Sequence, residues 1–147
     1  MGARVRNILQ AKGHAVYSIS PETTVYEALE VLVSRNVGAL LVTENDRILG
    51  IFSERDYARR VILKGRSSRE TPIRDIMTEN PIVMKEDDSI EDCMVKMTDK
   101  HIRHLPITDH ADRLVGVVSI GDLVKFIIDE QRTIIQSLEG YINGTHQ

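Results

Sequence analysis

The sequence contains two copies of one pattern, and this duplication constrains the fold more than any other feature. Residues 25–43 reappear at 90–108, and residues 48–62 reappear at 114–128 after one inserted residue near Ala111. Paired positions in the two copies conserve side-chain volume or charge. Two copies are too few for a solenoid. We therefore expect two similar units that pack about an approximate two-fold axis, with two related clefts between them.

Each copy predicts the order strand, helix, strand, strand, helix, which gives an α/β (more strictly α+β) fold. In the first copy, Thr24 begins a capping box, and the apolar residues that follow have helical spacing: Val25, Ala28, Leu29, Leu32 and Val33. Two apolar runs at 39–43 and 48–52 are separated by a short polar loop, which predicts a hairpin. Leading strands are expected at 16–19 and 82–84, and a second helix is expected after Ser53 and after Ser119.

A polar segment rich in turn formers separates the two copies at residues 65–72. We therefore expect a first unit at 1–69, including a lead-in segment and the linker, and a second unit at 70–129. A helical extension and tail would occupy 130–147. The lead-in segments at 5–9 and 73–77 resemble each other and predict a short amphipathic turn before each copy.

The last helix differs from its counterpart because its apolar pattern continues much further. The pattern includes Leu123, Phe126, Ile127, Ile134, Ile135, Leu138 and Tyr141. Such a stripe either folds back on its own domain or packs against another chain. We prefer self-association, and so expect a homodimer.

Length and charge exclude several classes of protein. A chain of 147 residues can bury about 70% of the surface that its unfolded form exposes, which allows one ordinary core. Its 19 basic and 22 acidic residues give a net charge of -3, with no general attraction to nucleic acid or anionic membranes. Since no apolar run approaches the roughly 20 residues of a membrane span, we expect a cytoplasmic protein.

Cys93 is predicted to be a small core residue.

Candidate chemistry lies where each hairpin runs into its second helix. The segments Gly50–Asp56 and Gly116–Asp122 share Gly, Ser and Asp at one spacing. A serine at the N-cap and a carboxylate three residues later form a capping box, worth about 1 kcal/mol without any ligand. A helix N-terminus also favours an anion, and an adjacent Asp can accept two hydrogen bonds from the vicinal hydroxyls of a ribose. The motif by itself leaves both interpretations open.

Taken together, these features resemble a tandem cystathionine-β-synthase (CBS) domain protein over about residues 5–130. The duplicated order, the two Gly-x-x-Ser-x-x-Asp segments, Asp75–Thr78 and His101–Ile107 carry the resemblance. It implies a CBS-domain pair, or Bateman module, whose two motifs pack through their sheets and bind adenosine ligands in the clefts between them. In that family the Asp holds the ribose hydroxyls, the Ser lies near ribose or phosphate, and apolar strand residues sandwich the adenine.

Carried across by position, the resemblance implies one cleft around Asp56 and another around Asp122. The first cleft would also use Ile51, Ser53, Arg55, Thr78, Pro81, Ile82, Ile102, Arg103, Leu105 and Pro106. The second would use Val117, Ser119, Lys12, Ala15, Val16, Val37, Gly38 and Ala39, with Arg103 and His104 near its phosphate. Because Gly38-Ala39 stands where the other copy has Arg103-His104, we expect the two clefts to differ in affinity.

Phosphate recognition would fall to arginine, because a guanidinium matches phosphate oxygens bidentately. The basic residues near the linker could serve this purpose or simply form a solvated face: Arg55, Arg59, Arg60, Lys64, Arg66 and Arg69. His101 and His104 have a spacing that would suit a metal site on a helix, but they enter a strand, where their side chains diverge. No metal is predicted.

The expected function is a regulatory sensor rather than an enzyme. The familiar signatures of phosphate, hydride and acyl transfer are missing from the sequence. The predicted ligand is an adenine nucleotide or dinucleotide such as AMP, ATP or NAD, and the predicted partner is an unknown regulated protein, with neither nucleic acid nor membrane involved. The alternatives are a ligand-free dimeric adaptor and a nucleotide-processing enzyme.

Overall fold

The computed structural model describes residues 2–142, with the backbone alone for residues 141 and 142. The chain forms two compact units. The terminal unit consists of Met1–His14 and Met84–Gln147, and the central unit consists of Ala15–Val83.

The elements alternate along the chain as the duplication predicts. The helices are α1 Val5–Lys12, α2 Val25–Arg35, α3 Glu54–Tyr57, α4 Ile90–Lys100 and α5 Ile120–Ile142. The strands are β1 Ser18–Ile19, β2 Ala39–Glu44, β3 Arg47–Ser53, β4 Thr78–Glu79, β5 Met84–Lys85, β6 His104–Thr108 and β7 Leu114–Ser119. A π-helical turn at Ala58–Ile62 continues α3, and a 3-10 turn at Ile73–Asp75 precedes β4.

The central unit is built on a four-stranded sheet in the order β1-β2-β3-β4. β1 is parallel to β2, and the other neighbours are antiparallel. The β2–β3 turn places Asn45 and Asp46 at φ 52° and 63°, values that suit the twist of a two-residue hairpin. The sheet and α2 enclose a core of Val25, Ala28, Leu32, Leu40, Val42, Phe52, Val61, Ile73, Ile76 and Met77. The antiparallel pairing of β2 with β3 confirms the predicted hairpin.

The terminal unit repeats this plan on a three-stranded sheet in the order β5-β6-β7. β5 is parallel to β6, and β6 is antiparallel to β7. Both α1 and α4 contact α5, and α1 also contacts β7. Each unit thus combines a small mixed sheet with helices, so the predicted α+β class is confirmed.

Backbone hydrogen bonds join each lead-in segment to the other copy of the repeat. Val5 N–H donates to the Asp88 carbonyl at 3.0 Å, and Ile73 N–H donates to the Thr23 carbonyl at 2.8 Å. The first fourteen residues consequently belong with the second copy, and the segment before β5 belongs with the first. The expected boundaries at 69 and 129 therefore stay predictions about the sequence repeats, because packing groups the chain differently.

Some local predictions were wrong in detail. Val33, placed on the buried stripe of α2, is 81% exposed, because eight residues of helix rotate it about 80° away from Val25. The first lead-in segment forms the eight-residue helix α1 rather than a short turn. The leading strand of the second copy is Met84–Lys85 rather than 82–84, since the ladder with β6 begins at Met84. The two-residue strand β4 was not predicted.

The long last helix is confirmed, with 23 residues in α5. Leu123 is fully buried, whereas every residue from Asp129 to Glu139 is exposed. Tyr141, the last member of the predicted stripe, has no described side chain, and the predicted tail at 143–147 lies outside the described residues. Within residues 2–142, no helix has both the length and the apolar character needed to cross a membrane.

The close packing of β3 against the lead-in segment gives a stability prediction at Gly50. A Cβ atom at Gly50 would lie 2.7 Å from Met77 Sδ and 2.7 Å from the Thr78 carbonyl oxygen. We expect Gly50→Ala to lower the free energy of unfolding by about 1–3 kcal/mol, measured by urea denaturation. Gly121→Ala is the control, because its Cβ would meet Ser119 Oγ at an ordinary 3.6 Å. An unchanged midpoint for Gly50→Ala would contradict this close approach.

Cys93 gives a second test of the core. Its side chain is fully buried in α4, and burial, followed by the charges of Asp88 and Asp92, raises the pKa of its thiol to about 12. We expect the folded protein to react with a thiol reagent at pH 8 about 100-fold more slowly than the urea-unfolded chain. Since Cys93 is the single cysteine, the reagent reports this position alone, and rapid labelling of folded protein would contradict its burial.

Candidate functional site

Both Gly-x-x-Ser-x-x-Asp segments form a strand-to-helix junction closed by a capping box. In the central unit, Asp56 N–H donates to Ser53 Oγ at 3.3 Å, and Ser53 N–H donates to Asp56 Oδ2 at 2.9 Å. In the terminal unit, Asp122 N–H donates to Ser119 Oγ at 3.1 Å, and Ser119 N–H donates to Asp122 Oδ2 at 2.8 Å. The predicted capping interpretation holds at both junctions.

The surroundings of Asp56 are made of hydroxyl and amide donors. The residue is 8% exposed, and its Oδ1 accepts a hydrogen bond from Thr78 Oγ1 at 3.1 Å. Ser53 Oγ also donates to Oδ2 at 3.1 Å. Thr78 reaches this position because β4 pairs with β3, with Thr78 opposite Ile51. Strand β4, which follows the second lead-in segment, thus brings a hydroxyl to the first carboxylate, with which the family resemblance groups Thr78.

Two of the basic residues considered for phosphate binding contact other parts of the central unit. Arg60 Nη1 donates to the Ile76 carbonyl at 3.2 Å and to the Met77 carbonyl at 2.9 Å. The Arg69 guanidinium lies 3.9 Å from the centroid of the Tyr26 ring, a cation–π distance. Arg60 therefore holds the backbone of the segment that precedes Thr78, and its role toward a phosphate stays a prediction.

A cation holds the second carboxylate. Lys12 Nζ donates to Asp122 Oδ2 at 2.7 Å and to the Val117 carbonyl at 2.8 Å. Burial by itself would raise the pKa of Asp122, but the hydrogen bonds from Lys12 and Ser119 and the charge of Lys12 together hold that pKa below its ordinary value. The two junctions thus share their capping boxes and differ in the group that reaches the carboxylate from outside the motif.

The position of Lys12 follows from the packing of α1 on β7. A Cβ atom at Gly116 would lie 2.6 Å from Leu9 Cδ2, so the Leu9 side chain would have to shift to admit one. At the end of α1, His14 Nδ1 lies 3.0 Å from the Val115 carbonyl oxygen, another contact that was not predicted. These contacts place the last turn of α1 beside the junction of β7 and α5.

A cavity of about 130 Å³ adjoins Asp122. It is lined by Ile8, Ala11, Lys12, Asp122, Lys125, Phe126 and Asp129. This volume is smaller than the roughly 300–1,000 Å³ of typical ligand pockets. A larger open hollow of about 770 Å³ on the outer face of α2, near Tyr26 and Val33, contains none of the predicted site residues, so the two junctions stay the candidate sites.

The remaining predicted site residues are divided between the units. The central unit holds Ala15, Val16, Val37, Gly38, Ala39, Ile51, Arg55, Pro81 and Ile82. The terminal unit holds Ile102, Arg103, His104, Leu105, Pro106 and Val117. The Gly38 carbonyl accepts from Glu54 N–H at 3.3 Å, and the Arg103 carbonyl accepts from Ile120 N–H at 2.9 Å. Gly38 and Arg103 thus occupy equivalent places in the two repeats, and their role toward a ligand stays a prediction.

The predicted absence of a metal site rested on His101 and His104. His101 caps the C-terminus of α4 with φ 56°, and His104 begins β6. Among residues 2–142, no group of three or more His, Cys, Asp or Glu side chains is arranged to hold a metal ion.

Comparisons with known proteins identify relatives of the whole two-repeat chain. It is 36% identical to the mitochondrial CBS domain-containing protein CBSX3 of Arabidopsis thaliana, over 95% of this chain and 72% of that protein. A solved structure of a protein with CBS domains from Burkholderia ambifaria is 42% identical, with a TM-score of 0.85 over 88% of this chain and 96% of that one.

The CBS domain pair of protein MJ0100, solved in complex with 5′-methylthioadenosine and S-adenosyl-L-methionine, is 25% identical. It superposes with a TM-score of 0.74 over 85% of this chain and 99% of that one. The family model of the CBS domain matches this sequence twice, at residues 7–63 and 73–129. The chain therefore belongs to the CBS domain family, as a tandem pair of CBS repeats.

Proposed function

We propose that the protein is a regulatory sensor that binds an adenosine-containing ligand at Asp56 and Asp122 and signals to another protein without catalysing a reaction. The observation that carries this proposal is the duplicated junction, in which a serine and a carboxylate sit at a helix N-terminus at the end of a strand. Because each repeat presents the same arrangement, the proposal includes two related sites. A cytoplasmic location belongs to the same proposal.

The chemistry of the two carboxylates supports ribose binding. An ionised carboxylate offers about four acceptor positions. Asp56 Oδ1 accepts from the Thr78 hydroxyl, which can rotate toward another partner. At Asp122, Oδ2 accepts from Ser119 and Lys12. Each Asp is thus held at its helix start with acceptor oxygens that vicinal ribose hydroxyls could share.

The comparison with protein MJ0100 supports the ligand class. That CBS pair was solved with two adenosine compounds, 5′-methylthioadenosine and S-adenosyl-L-methionine. We therefore propose an adenosine compound for this chain, with AMP, ATP and NAD as the first members to examine. The capping roles of Ser53 and Ser119 support a binding module rather than a nucleophilic enzyme.

The alternative is a ligand-free dimeric adaptor, and the limited space around the two carboxylates favours it. Asp56 is 8% exposed, and the cavity beside Asp122 is only about 130 Å³. Both carboxylates also accept hydrogen bonds from the chain's own donors. Under this alternative, the Ser–Asp junctions would act purely as helix caps.

The exposed end of α5 supports self-association as part of the proposal. Val124, Ile128, Ile135 and Leu138 are each 45–57% exposed, and their spacing places them on one side of the helix. The exposed segment of α5 at residues 129–139 is short, and an isolated helix of that length is marginal in water without tertiary packing. Because every copy carries the same stripe, a two-fold arrangement would cover both stripes at once.

The ribose role of the two aspartates predicts a loss of affinity in each single variant. We expect Asp56→Asn and Asp122→Asn each to weaken AMP binding at one site by about tenfold or more, since each removes a charge-assisted hydrogen bond. Calorimetry on ligand-stripped protein measures this loss. Binding of 2′-deoxy-AMP should change less, because it lacks one of the two hydroxyls.

The matched control for these variants is Glu27→Gln. Glu27 closes a capping box with Thr24 at the start of α2 in the same way, but it belongs to neither proposed site. This variant should bind AMP as the parent does. Retention of full affinity in both Asp variants would show that these residues are not the ribose ligands. If the parent binds none of AMP, ATP, NAD and S-adenosylmethionine, the adaptor is favoured instead.

Self-association through α5 predicts that a charge within its stripe separates the subunits. We expect the parent protein to sediment at twice the chain mass and Ile135→Glu to sediment as a monomer, because burial of a carboxylate in an apolar contact is costly. Gln136→Glu is the control, since it places the same charge at the next exposed position of the helix. A monomeric parent protein, or a dimeric Ile135→Glu variant, would contradict this arrangement.

A further inference from the structure

The two candidate carboxylates differ in the group that reaches them from outside the Ser–Asp motif. This group comes from β4 at Asp56 and from the end of α1 at Asp122. At Asp56 the group is the Thr78 hydroxyl, 3.1 Å from Oδ1. At Asp122 it is the Lys12 ammonium, 2.7 Å from Oδ2. The same oxygen of Asp122 already accepts from Ser119 N–H at 2.8 Å. The internal partner is therefore neutral in one repeat and cationic in the other.

These two donors respond differently to an arriving ribose. A hydroxyl both donates and accepts, and its hydrogen can rotate, so Thr78 can remain beside Asp56 and bond a ribose hydroxyl. An ammonium has three donors and no acceptor. A ribose diol that uses both oxygens of Asp122 would therefore compete with Lys12 for Oδ2.

Lys12 is placed so that it can leave this carboxylate and stay nearby. Its side chain is 35% exposed, and that of Asp122 is 24% exposed. Lys12 is the last residue of α1, and its flexible four-carbon stem lines the cavity beside Asp122. Separation of the pair leaves a partly buried ammonium without its counter-ion, which is unfavourable unless another anion replaces the carboxylate.

We propose that Lys12 is a specificity-determining residue of the Asp122 site. A ligand ribose displaces the Lys12 ammonium from Asp122, and the ammonium then pairs with a phosphate of the same ligand. The Asp122 site consequently selects phosphorylated adenosine compounds over adenosine itself. The Asp56 carboxylate, whose lead-in partner is a hydroxyl, imposes no such exchange. This inference rests on the proposed function, since it concerns the ligand class of one of its two sites.

The test isolates the Asp122 site by using Asp56→Asn as the background. Calorimetry then measures the dissociation constants of adenosine and AMP, and their ratio reports phosphate selection. We expect the background protein to prefer AMP by about tenfold or more. Addition of Lys12→Met should reduce this preference by about fivefold or more, because adenosine no longer competes with an internal cation and AMP loses its partner.

Three further variants separate this effect from a general change in charge or fold. Lys12→Arg should keep the preference, because it retains a cation. Lys12→Gln should lose it, which repeats the test if Lys12→Met folds poorly by circular dichroism. Lys125→Met removes a cation from the same cavity, but one whose Nζ lies 3.3 Å from Asp129 Oδ2, and it should keep the preference.

The outcomes distinguish this inference from the proposed function. If Lys12→Met and Lys12→Gln, added to the Asp56→Asn background, keep the ratio of that background, Lys12 does not select phosphate, although the sensor proposal stands. An equal loss in Lys125→Met would indicate a general electrostatic effect and would also overturn the inference. If the parent protein binds neither adenosine nor AMP, the inference and the proposed function fail together.

Discussion

Each compact unit depends on the backbone hydrogen bonds that attach a lead-in segment to the other copy of the repeat. The bonds from Val5 to Asp88 and from Ile73 to Thr23 anchor these segments, and the segments then contribute apolar side chains to the unit that receives them. In the terminal unit these side chains are Val5, Ile8 and Leu9, and in the central unit they are Ile73, Ile76 and Met77. Neither copy of the repeat therefore supplies a complete core from its own residues.

The same exchange determines the chemistry of the two candidate sites. The Ser–Asp junction belongs to the repeat, so both copies have the same capping box. The third partner of each carboxylate is far away in sequence. Thr78 in β4 is 22 residues from Asp56, and Lys12 in α1 is 110 residues from Asp122. Since the two lead-in segments differ in sequence and in length of helix, one delivers Thr78 and the other delivers Lys12. The two repeats are similar, but their carboxylates accept hydrogen bonds from different groups.

The sequence predicts the features that depend on local spacing. The hairpin of β2 and β3, the capping boxes at Thr24 and Ser53, and the length of α5 all follow from residues near one another in the chain. Local spacing does not say which copy a short segment will join, so β4 was not predicted. The family resemblance groups Thr78 with Asp56 and Lys12 with Asp122, but it does not predict the hydrogen bonds that join them. Val33 shows a subtler limit, because an apolar residue can fit the helical spacing and still lie about 80° around the helix from the buried face.

The exchange also affects the order in which the protein can form on the ribosome. The central unit is contiguous, from Ala15 to Val83, so all of its residues are available before the second copy has been made. Helix α1 is synthesised earlier still, but besides its backbone bond to Asp88 it packs against β7 and α5, which are made after the central unit. Domains that form during synthesis generally do so from the amino terminus, whereas α1 must wait for β7 and α5 before it can bury its apolar face.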